Sequence, residues 1–302
     1  MKYAFFKGKI VPFEEAKISV MTHAFNYGTG VFEGIRGYYC DDKMHLLQMK
    51  EHYQRLHNSC RIMRIHLKYS IEELIEITKE LAIKNAYKED IYIRPLAYKA
   101  GEVIGVRLHN LDDDFTMFVS PFGSYLDISK GIRCCTSSWR RIDENMIPAR
   151  AKVTGVYVNS AFAKSEAVED GFDEAIMLDT AGGVCEGSAE NLFIIRDGKL
   201  ITPTISENIL EGITRNSLIK MAKDDFDLET IERRVARTEL YIADELFLCG
   251  TGAQVTPVLE VDRRQIGRGQ IGPITTKLQT AYFDAVRGKN KKYSHWIVPV
   301  TY

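Results

Sequence analysis

The stretch Pro148-Ala-Arg-Ala-Lys152-Val-Thr-Gly155-Val-Tyr157 is followed, thirty-four residues after its lysine, by the acid in Cys185-Glu186-Gly187-Ser188-Ala189-Glu190. A lysine amine holds pyridoxal phosphate as a Schiff base, and a carboxylate beside the pyridine nitrogen keeps that nitrogen protonated. Glycine and serine around the acid let a ligand approach the backbone closely. Together, Lys152 and Glu186 predict a pyridoxal 5′-phosphate site.

Composition and charge limit the classes of protein to consider. The chain has 302 residues and a mass of 34.4 kDa, enough for two domains with their own cores. It is 45% hydrophobic and 27% charged, with a net charge of −1. These values are typical of a globular protein and give no electrostatic attraction to nucleic acid or to an anionic membrane. We therefore predict small-molecule partners, with no nucleic acid and no membrane.

Neither the N-terminus nor the cysteines indicate export or a metal. The first residues, Met1-Lys-Tyr-Ala-Phe-Phe, are interrupted by charge and have no cleavage site, which predicts a strand and turn rather than a signal peptide. The six cysteines form no C-x-x-C pair, which favours a reducing cytoplasm over disulfides or zinc. Asp112-Asp113-Asp114 is interpreted as a solvated turn, and we predict no metal site.

Turn and cap signals alternate along both halves of the chain. Asp197-Gly198 predicts a type I′ hairpin, and Ser70 with Glu73 predicts a capping box that opens a helix. The fold class is therefore α/β of the α+β type, with sheets too rich in hairpins for a doubly wound parallel fold. The predicted domains are a small one at residues 1–120 and a large one at 133–302, joined by a linker at 121–132.

Three separate segments supply the groups that a phosphate monoester needs. Gly212-Ile213-Thr214 stands at a predicted helix start, where backbone N–H groups bind anions. Gly250-Thr251-Gly252 follows a buried strand and offers a hydroxyl and exposed amides. Arg55 lies on a predicted helix and would supply the cation.

The motifs of the chain form one combined pattern. In order, they are Met21-Thr-His-Ala-Phe-Asn-Tyr27-Gly-Thr-Gly-Val-Phe32-Glu-Gly-Ile-Arg36, Tyr92-Ile-Arg94-Pro-Leu, Lys152, Glu186-Gly-Ser-Ala-Glu190-Asn-Leu-Phe, Gly212-Ile-Thr-Arg215 and Gly250-Thr251-Gly252. This pattern resembles the branched-chain aminotransferases, which are fold-type IV pyridoxal phosphate enzymes. The resemblance implies two α/β domains with the cofactor between them. It also implies a homodimer or a higher oligomer of dimers, in which the loop at residues 104–106 reaches the partner's site.

The resemblance also implies a role for each matching residue. Lys152 would hold the cofactor and move the substrate's α-proton, and Glu186 would pair with the pyridine nitrogen. The remaining cofactor-binding residues would be Arg55, Tyr157 (at the phenolic oxygen), Ala189, Ile213, Thr214 and Thr251. The substrate-binding residues would be Tyr27, Phe32, Tyr92, Arg94, Val106, Phe122, Tyr125, Thr251 and Gly252.

Arg94 has the most specific of these roles, because it would bind the distal carboxylate of glutamate. Tyr92 and Arg94 are two residues apart on a predicted strand, so their side chains share one face. We interpret Arg94 as the only arginine on a strand beside an aromatic residue of the pocket.

The predicted reaction is transamination between L-leucine, L-isoleucine or L-valine and 2-oxoglutarate. The chain departs from the family pattern at Val153-Thr154 and at Ser188-Ala189, which leaves its substrate range more open than its reaction type. Two alternatives remain: a D-amino acid or (R)-amine transaminase of the same fold, and a lyase of the aminodeoxychorismate type. A non-catalytic binding protein is least consistent with an intact Lys152 and Glu186.

Overall fold

Predicted caps and turns begin and end several elements in the computed structural model, which describes residues 1–123 and 126–302. Ser70 and Glu73 form the predicted capping box, each side chain bonding to the backbone N–H of the other residue. Asp197 and Gly198 have φ angles of 51° and 71°, as a type I′ turn requires. Both local predictions are confirmed. The sequence could predict them because each depends only on neighbouring residues.

Strands and helices alternate along the described chain. The strands are β1 (Tyr3–Phe6), β2 (Lys9–Pro12), β3 (Gly30–Phe32), β4 (Ile35–Cys40), β5 (Lys43–Leu47), β6 (Ile91–Lys99), β7 (Asp113–Pro121), β8 (Ile132–Arg140), β9 (Glu174–Leu178), β10 (Val184–Gly187), β11 (Asn191–Arg196), β12 (Lys199–Thr202), β13 (Thr230–Glu232), β14 (Glu245–Gly250), β15 (Gln254–Val261), β16 (Arg264–Gln265) and β17 (Ile297–Thr301). The α-helices are α1 (His23–Tyr27), α2 (Met49–Ile62), α3 (Ile71–Asn85), α4 (Tyr157–Glu169), α5 (Ile213–Phe226), α6 (Arg237–Leu240) and α7 (Pro273–Val286). Short 3₁₀ turns lie at Phe13–Glu15, Thr154–Val156 and Lys291–Trp296.

The chain divides into two units, and the division is not a single cut in the sequence. The first unit contains Met1–Gly123, Ala151–Val156 and Ala285–Tyr302. The second contains the described residues from 126 to 150 and Tyr157–Asp284. The linker predicted at 121–132 includes the first junction. The predicted large domain at 133–302, however, includes residues 151–156 and 285–302, which lie in the first unit.

The first unit is built on an eight-stranded antiparallel sheet in the order β17-β5-β4-β6-β7-β1-β2, with β3 also paired to β6. β3 and β4 run along the same neighbour and are separated at Glu33 and Gly34. The break lies beside Pro95, which has no N–H to donate but accepts from the Glu33 N–H at 3.0 Å. Next to this interruption, the Phe32 ring lies 4.3 Å from the guanidinium carbon of Arg94 on β6.

The second unit is built on a nine-stranded mixed sheet in the order β10-β9-β8-β15-β14-β11-β12-β13, with β16 paired to β15. Its parallel pairs are β8 with β9, β8 with β15, and β12 with β13. One face of the sheet packs into a core that includes Ile176, Leu192, Leu246 and Val258, all at most 2% exposed. The predicted hairpin-rich α/β fold is confirmed.

Two further observations concern the described part of the chain as a whole. Among residues 1–123 and 126–302, no helix has the length and apolar character needed to cross a bilayer. All six cysteines are present as free thiols.

Candidate active site

The backbone of Lys152 is fixed on the first unit from both sides. Its N–H donates to Ser59 Oγ on α2 at 3.2 Å, and its carbonyl accepts from the Phe32 N–H at 3.0 Å. The next residue, Val153, forms an antiparallel bridge with Val31. The lysine therefore stands on a short added strand beside β3, with a well-defined starting point for its side chain.

Thr154 and Gly155 complete this attachment and explain one departure from the family pattern. The Thr154 hydroxyl donates to the Gly28 carbonyl at 2.8 Å and accepts from the Gly30 N–H at 3.2 Å. The Gly155 N–H also donates to the Gly28 carbonyl, at 3.1 Å. Gly28 has a φ of 65°, and a Cβ there would stand 2.7 Å from the Gly155 Cα. Threonine thus replaces a smaller residue where its hydroxyl joins the end of α1 to the start of β3.

The ring of Phe32 contacts two cations. Lys152 Nζ lies 5.0 Å from the ring centroid and Arg94 Cζ lies 4.3 Å from it. Phe32 itself is 5% exposed. The electron-rich face of an aromatic ring attracts cations, and more so when water is excluded. One buried aromatic side chain therefore gathers an amine and a guanidinium.

The Arg94 guanidinium donates to a neighbour through Nη2, whereas its Nε has no partner among the described residues. Its Nη2 donates to the Tyr92 hydroxyl at 3.1 Å, and its guanidinium lies 5.1 Å from the centre of the Tyr92 ring. Its Nε is buried and bonds to no residue that the structure describes. Tyr92 also packs against Phe122, with ring centroids 5.1 Å apart. The two side chains share a face as predicted, and a buried donor without an acceptor indicates a place for an anionic ligand.

A second arginine lies beside the same aromatic group, which corrects one sequence-based interpretation. Arg36, on β4, is 2% exposed and lies 4.7 Å from the centre of the Phe122 ring. It donates to the carbonyls of Phe122 at 3.0 Å and Gly123 at 2.7 Å. The interpretation that Arg94 is the only strand arginine beside a pocket aromatic is wrong. The two differ in their bonding, because Arg36 secures the backbone at the end of β7.

Arg55 lies on α2 in a buried ionic cluster. Its Nε and Nη2 donate to the two oxygens of Glu33 at 2.6 and 2.8 Å, and His52 Nδ1 lies 2.8 Å from the same carboxylate. Burial acts to raise the pKa of Glu33, but the charge and hydrogen bonds of Arg55, with those of His52, hold it well below its usual range. Burial lowers the pKa of His52, the largest of the effects on that ring.

Tyr27 and Val106 lie near the surface of the first unit. The Tyr27 hydroxyl accepts from the Gly105 N–H at 3.2 Å, and His23 Nε2 lies 2.7 Å from the Gly105 carbonyl oxygen. Val106 is 79% exposed. The loop is thus tied to α1 at Gly105 while its apolar side chains face outward.

In the second unit, an ion pair and two hydrogen bonds fix the carboxylate of Glu186, which is 4% exposed at the end of β10. Arg141 Nη2 forms the ion pair and lies 2.8 Å from Oε1. Asn191 Nδ2 and the Leu210 N–H donate to Oε2 at 2.9 and 3.2 Å. Arg141 Nη1 is buried and bonds to none of the described residues. The predicted ring-nitrogen partner is therefore a buried, oriented carboxylate next to an incompletely satisfied cation.

The turn after Glu186 exposes one residue and buries the next. Ala189 is exposed, and its N–H donates to Glu190 Oε2 at 3.1 Å. Burial, followed by the charge of Glu174, raises the pKa of the Glu190 carboxyl. Glu190 thus accepts a hydrogen bond from the turn, and its pKa of about 8 leaves the carboxyl largely protonated at neutral pH.

The start of α5 lies against the Glu186 cluster. The helix begins at Ile213 after Gly212, as predicted, and Thr214 is 5% exposed. The Asn191 side chain occupies the space that a Cβ on Gly212 would need. Since Asn191 also bonds to Glu186 and to the Leu210 carbonyl, at 2.9 and 3.0 Å, it links the carboxylate to the N-terminus of the helix.

The remaining predicted residues lie at element ends. Thr251 and Gly252 form the half-buried turn between β14 and β15, and Tyr157 is the half-buried first residue of α4. A Cβ on Gly252 would meet no described atom within 4 Å. Tyr125 lies outside the described residues. Within the described ranges, no group of three or more His, Cys, Asp or Glu is arranged to hold a metal ion.

The sequence reasoning missed the partners that hold these residues. Glu33, Arg36 and Arg141 were not assigned, although each is buried and bonds to a predicted site residue or its backbone. Glu33 and Arg36 stood inside the quoted Tyr27–Arg36 motif, so that motif offered a signal. Arg141 had none, because a Trp-Arg-Arg sequence is typical of a strand end at the surface.

Comparison with known proteins identifies a family and close relatives. Residues 30–261 match the family described as amino-transferase class IV. The chain is 54% identical over 302 residues to a probable branched-chain-amino-acid aminotransferase of Aquifex aeolicus, covering 99% of this chain and 97% of that protein.

Solved structures of high similarity include two enzymes of the same kind. The branched-chain aminotransferase of Thermoproteus uzoniensis, solved with norvaline, is 42% identical with a TM-score of 0.95, covering 98% of each chain. The branched-chain amino acid aminotransferase of T.th., complexed with N-(5′-phosphopyridoxyl)-L-glutamate, is 44% identical with a TM-score of 0.93, covering 98% of this chain and 97% of that one.

Proposed function

The chain belongs to the class IV aminotransferase family, and on that premise we propose that it transfers the amino group of leucine, isoleucine or valine to 2-oxoglutarate with pyridoxal 5′-phosphate as cofactor. The proposal rests on one observation above all. The Phe32 ring contacts both Lys152 Nζ, at 5.0 Å, and the Arg94 guanidinium, at 4.3 Å. An apolar surface thus stands between the group that reacts and a group that binds a carboxylate.

The residues present fit pyridoxal phosphate in their chemistry. Lys152 supplies the amine, and Glu186 is a buried carboxylate held by an ion pair and two hydrogen bonds. The α5 N-terminus supplies backbone donors beside Gly212, whose missing Cβ leaves room for Asn191. The relative from T.th. is named as a complex with a phosphopyridoxyl glutamate, which joins this cofactor to a glutamate.

When bound, pyridoxal phosphate supplies an electron-accepting ring that stabilises negative charge at the substrate's α-carbon. Lys152 Nζ would take the α-proton and return it, from a backbone position that Ser59 and Phe32 fix. Glu186 would hold the proton at the ring nitrogen through a charge-assisted hydrogen bond. Tyr157 would orient the phenolic oxygen, and Ala189 would lie beside the ring.

Anion binding would be shared among several elements. The phosphate would be held by Arg55, Ile213, Thr214 and Thr251. Backbone amides at the N-terminus of α5 would donate hydrogen bonds to its oxygens. The amides of Thr251 and Gly252 would receive the substrate's α-carboxylate, and the open space at Gly252 supports this role.

Two kinds of substrate must use the same pocket. Phe32, Tyr92 and Phe122 offer apolar surface to a branched side chain, and each methylene contributes about 1 kcal/mol of discrimination. Glutamate brings a second carboxylate, whose burial without a partner is prohibitive. The unmatched buried Nε of Arg94 supports its assignment to that carboxylate.

Assembly and location complete the proposal. The first unit exposes apolar side chains on α1 and on the loop held at Gly105, including Phe25 at 68%, Ile104 at 91% and Val106 at 79%. We propose that a second copy of the chain covers this surface in a homodimer, with Tyr27 and Val106 near the substrate. The free thiols support a reducing compartment, the cytoplasm.

A panel of half-reactions tests the proposed activity. The purified enzyme, loaded with cofactor, would be mixed separately with L-leucine, L-glutamate, D-alanine, (R)-phenylethylamine and aminodeoxychorismate, and the cofactor's visible absorbance followed. We expect rapid changes with L-leucine and L-glutamate. A preference for D-alanine or the (R)-amine would replace the proposal with the D-amino acid alternative. Pyruvate release from aminodeoxychorismate without an amino acceptor would establish the lyase.

A further inference from the structure

We propose that Arg141 is a positioning residue that acts on the cofactor's ring nitrogen through Glu186, keeping the proton they share on the nitrogen rather than on the carboxylate. The inference rests on the proposed function, because it needs pyridoxal phosphate with its nitrogen at Glu186. It adds a residue outside the site predicted from the sequence.

The geometry of Arg141 sets it apart from an ordinary structural arginine. It is 7% exposed, and its Nη2 lies 2.8 Å from Glu186 Oε1. Its Nη1 is buried without a hydrogen bond to the described residues, and its Nε makes only a long contact of 3.4 Å with the Asn208 carbonyl. A buried guanidinium with an unmatched donor costs free energy that a purely structural role would avoid. The one short contact described for its guanidinium is the ion pair with the carboxylate.

The other groups around Glu186 cannot replace this charge. Asn191 and the Leu210 N–H bond to Oε2 but are neutral. Glu190 lies near enough to interact electrostatically, but it carries no positive charge. Cys185 and Cys249 also interact with Glu186, and burial raises the pKa of both thiols, so they remain neutral. Among the described contacts of Glu186, Arg141 is therefore the cation paired with this carboxylate.

Electrostatics then decides where the shared proton lies. Burial favours the protonated carboxyl, whereas a cation beside it favours the charged carboxylate. A cation bonded directly to the carboxylate stabilises that charge more than it opposes a pyridinium farther away, because Coulomb energy falls with distance. Removing Arg141 should therefore shift the proton toward Glu186 by about 10- to 1000-fold.

The test measures the ring nitrogen directly. Wild-type protein and the variants Arg141→Lys, Arg141→Gln and Arg141→Met would be loaded with pyridoxal 5′-phosphate labelled with ¹⁵N in the ring. The ¹⁵N chemical shift separates a protonated from an unprotonated nitrogen without any turnover. We expect a protonated nitrogen in the wild type and in Arg141→Lys, and a shift toward the unprotonated value in Arg141→Gln and Arg141→Met. Glutamine keeps a donor without the charge, so it also covers the case in which methionine prevents folding.

Two controls separate the possible outcomes. Arg196→Met removes a more exposed arginine–carboxylate pair of the same unit, with Glu239 at 3.1 Å, and should leave the shift unchanged. In a Glu186→Gln background, Arg141→Gln should no longer alter the shift. A protonated nitrogen in both neutral Arg141 variants would overturn the inference. A wild-type protein that binds no pyridoxal phosphate would instead overturn the proposed function.

Discussion

Each unit buries a glutamate against an arginine, but only one of the two pairs is complete. In the first unit, Arg55 bonds both oxygens of Glu33, at 2.6 and 2.8 Å, and His52 adds a contact at 2.8 Å. In the second unit, Arg141 bonds one oxygen of Glu186 and leaves a buried Nη1 without a described partner. The first arginine thus directs two donors at its carboxylate, whereas the second pairs with one oxygen and keeps a further buried donor.

This difference in hydrogen bonding predicts a different role for each arginine–glutamate pair. Removing one partner of either pair leaves a buried charge uncompensated and lowers stability. The unmatched Nη1 of Arg141 is a donor for a further group, so loss of the second pair should also affect binding and chemistry. The first unit follows the same rule at Arg94, whose unmatched Nε contrasts with the fully engaged backbone contacts of Arg36.

The largest expected effect tests whether the reacting amine belongs to the first unit. Lys152→Ala should lower turnover by at least ~10⁴-fold, because it removes both the covalent attachment and the proton carrier. Lys199→Ala, at an exposed hairpin position, is the matched control and should retain full activity. Borohydride reduction of the loaded enzyme followed by peptide mapping should label Lys152. A label on Lys164 would contradict the assignment.

The next effect compares the two glutamates directly. Glu186→Gln should slow the proton-abstraction step by ~10³-fold, and it should also lower the unfolding free energy because Arg141 loses its buried counter-charge. Glu33→Gln should lower the unfolding free energy by about 3–5 kcal/mol, because it leaves Arg55 without its buried counter-charge. Stopped-flow half-reactions and urea unfolding of both variants measure the two effects. Near-wild-type rates in the Glu186 variant would mean that the Arg141–Glu186 pair has no role in the reaction.

A smaller and more selective effect is expected at Arg94. Arg94→Met should reduce kcat/KM for 2-oxoglutarate by ~10²-fold, since a buried carboxylate loses its cation, while 4-methyl-2-oxopentanoate changes by less than ~5-fold. Arg61→Met, at an exposed position on α2, is the control. Equal losses with both oxo acids would show that Arg94 binds the α-carboxylate, as in the D-amino acid alternative.

A change of pH should have the smallest effect on turnover and the clearest effect on the free energy of unfolding. The pKa of Glu33 is lowered from 4.5, so the stability it contributes is present above that value and is lost as the pH falls below it. The pKa of Glu190 is raised from 4.5 to about 8, so the native state binds the extra proton and stability falls as the pH rises through that window.

Urea unfolding across pH 3–9 separates these opposite signs. Glu190→Gln should remove the fall toward alkaline pH, an effect on the order of a few kcal/mol. Glu33→Gln should flatten the acid side instead. A Glu190 variant that keeps the alkaline fall would show that another group holds the proton.

The motifs of the sequence determined the family and the local elements. The type I′ turn at Asp197-Gly198, the capping box at Ser70 and the start of α5 at Ile213 each depend on a few adjacent residues, and the structure confirms all three. The resemblance to branched-chain aminotransferases is confirmed by relatives up to 54% identical. The residue roles that the resemblance implies stay predictions.

Only the tertiary structure decided which side chains complete the site. Lys152 was placed in the large domain by its position in the chain, yet its segment lies in the first unit, bonded to Ser59 and Phe32. Arg141 stands 45 residues before Glu186 in the sequence and bonds to it across the sheet. Such pairings join distant residues through long-range packing and burial, and a single sequence gives no local signal for them. Residue propensities and motifs determine the elements formed by neighbouring residues. The partners of buried charged side chains are determined only when the strands pair in their final register.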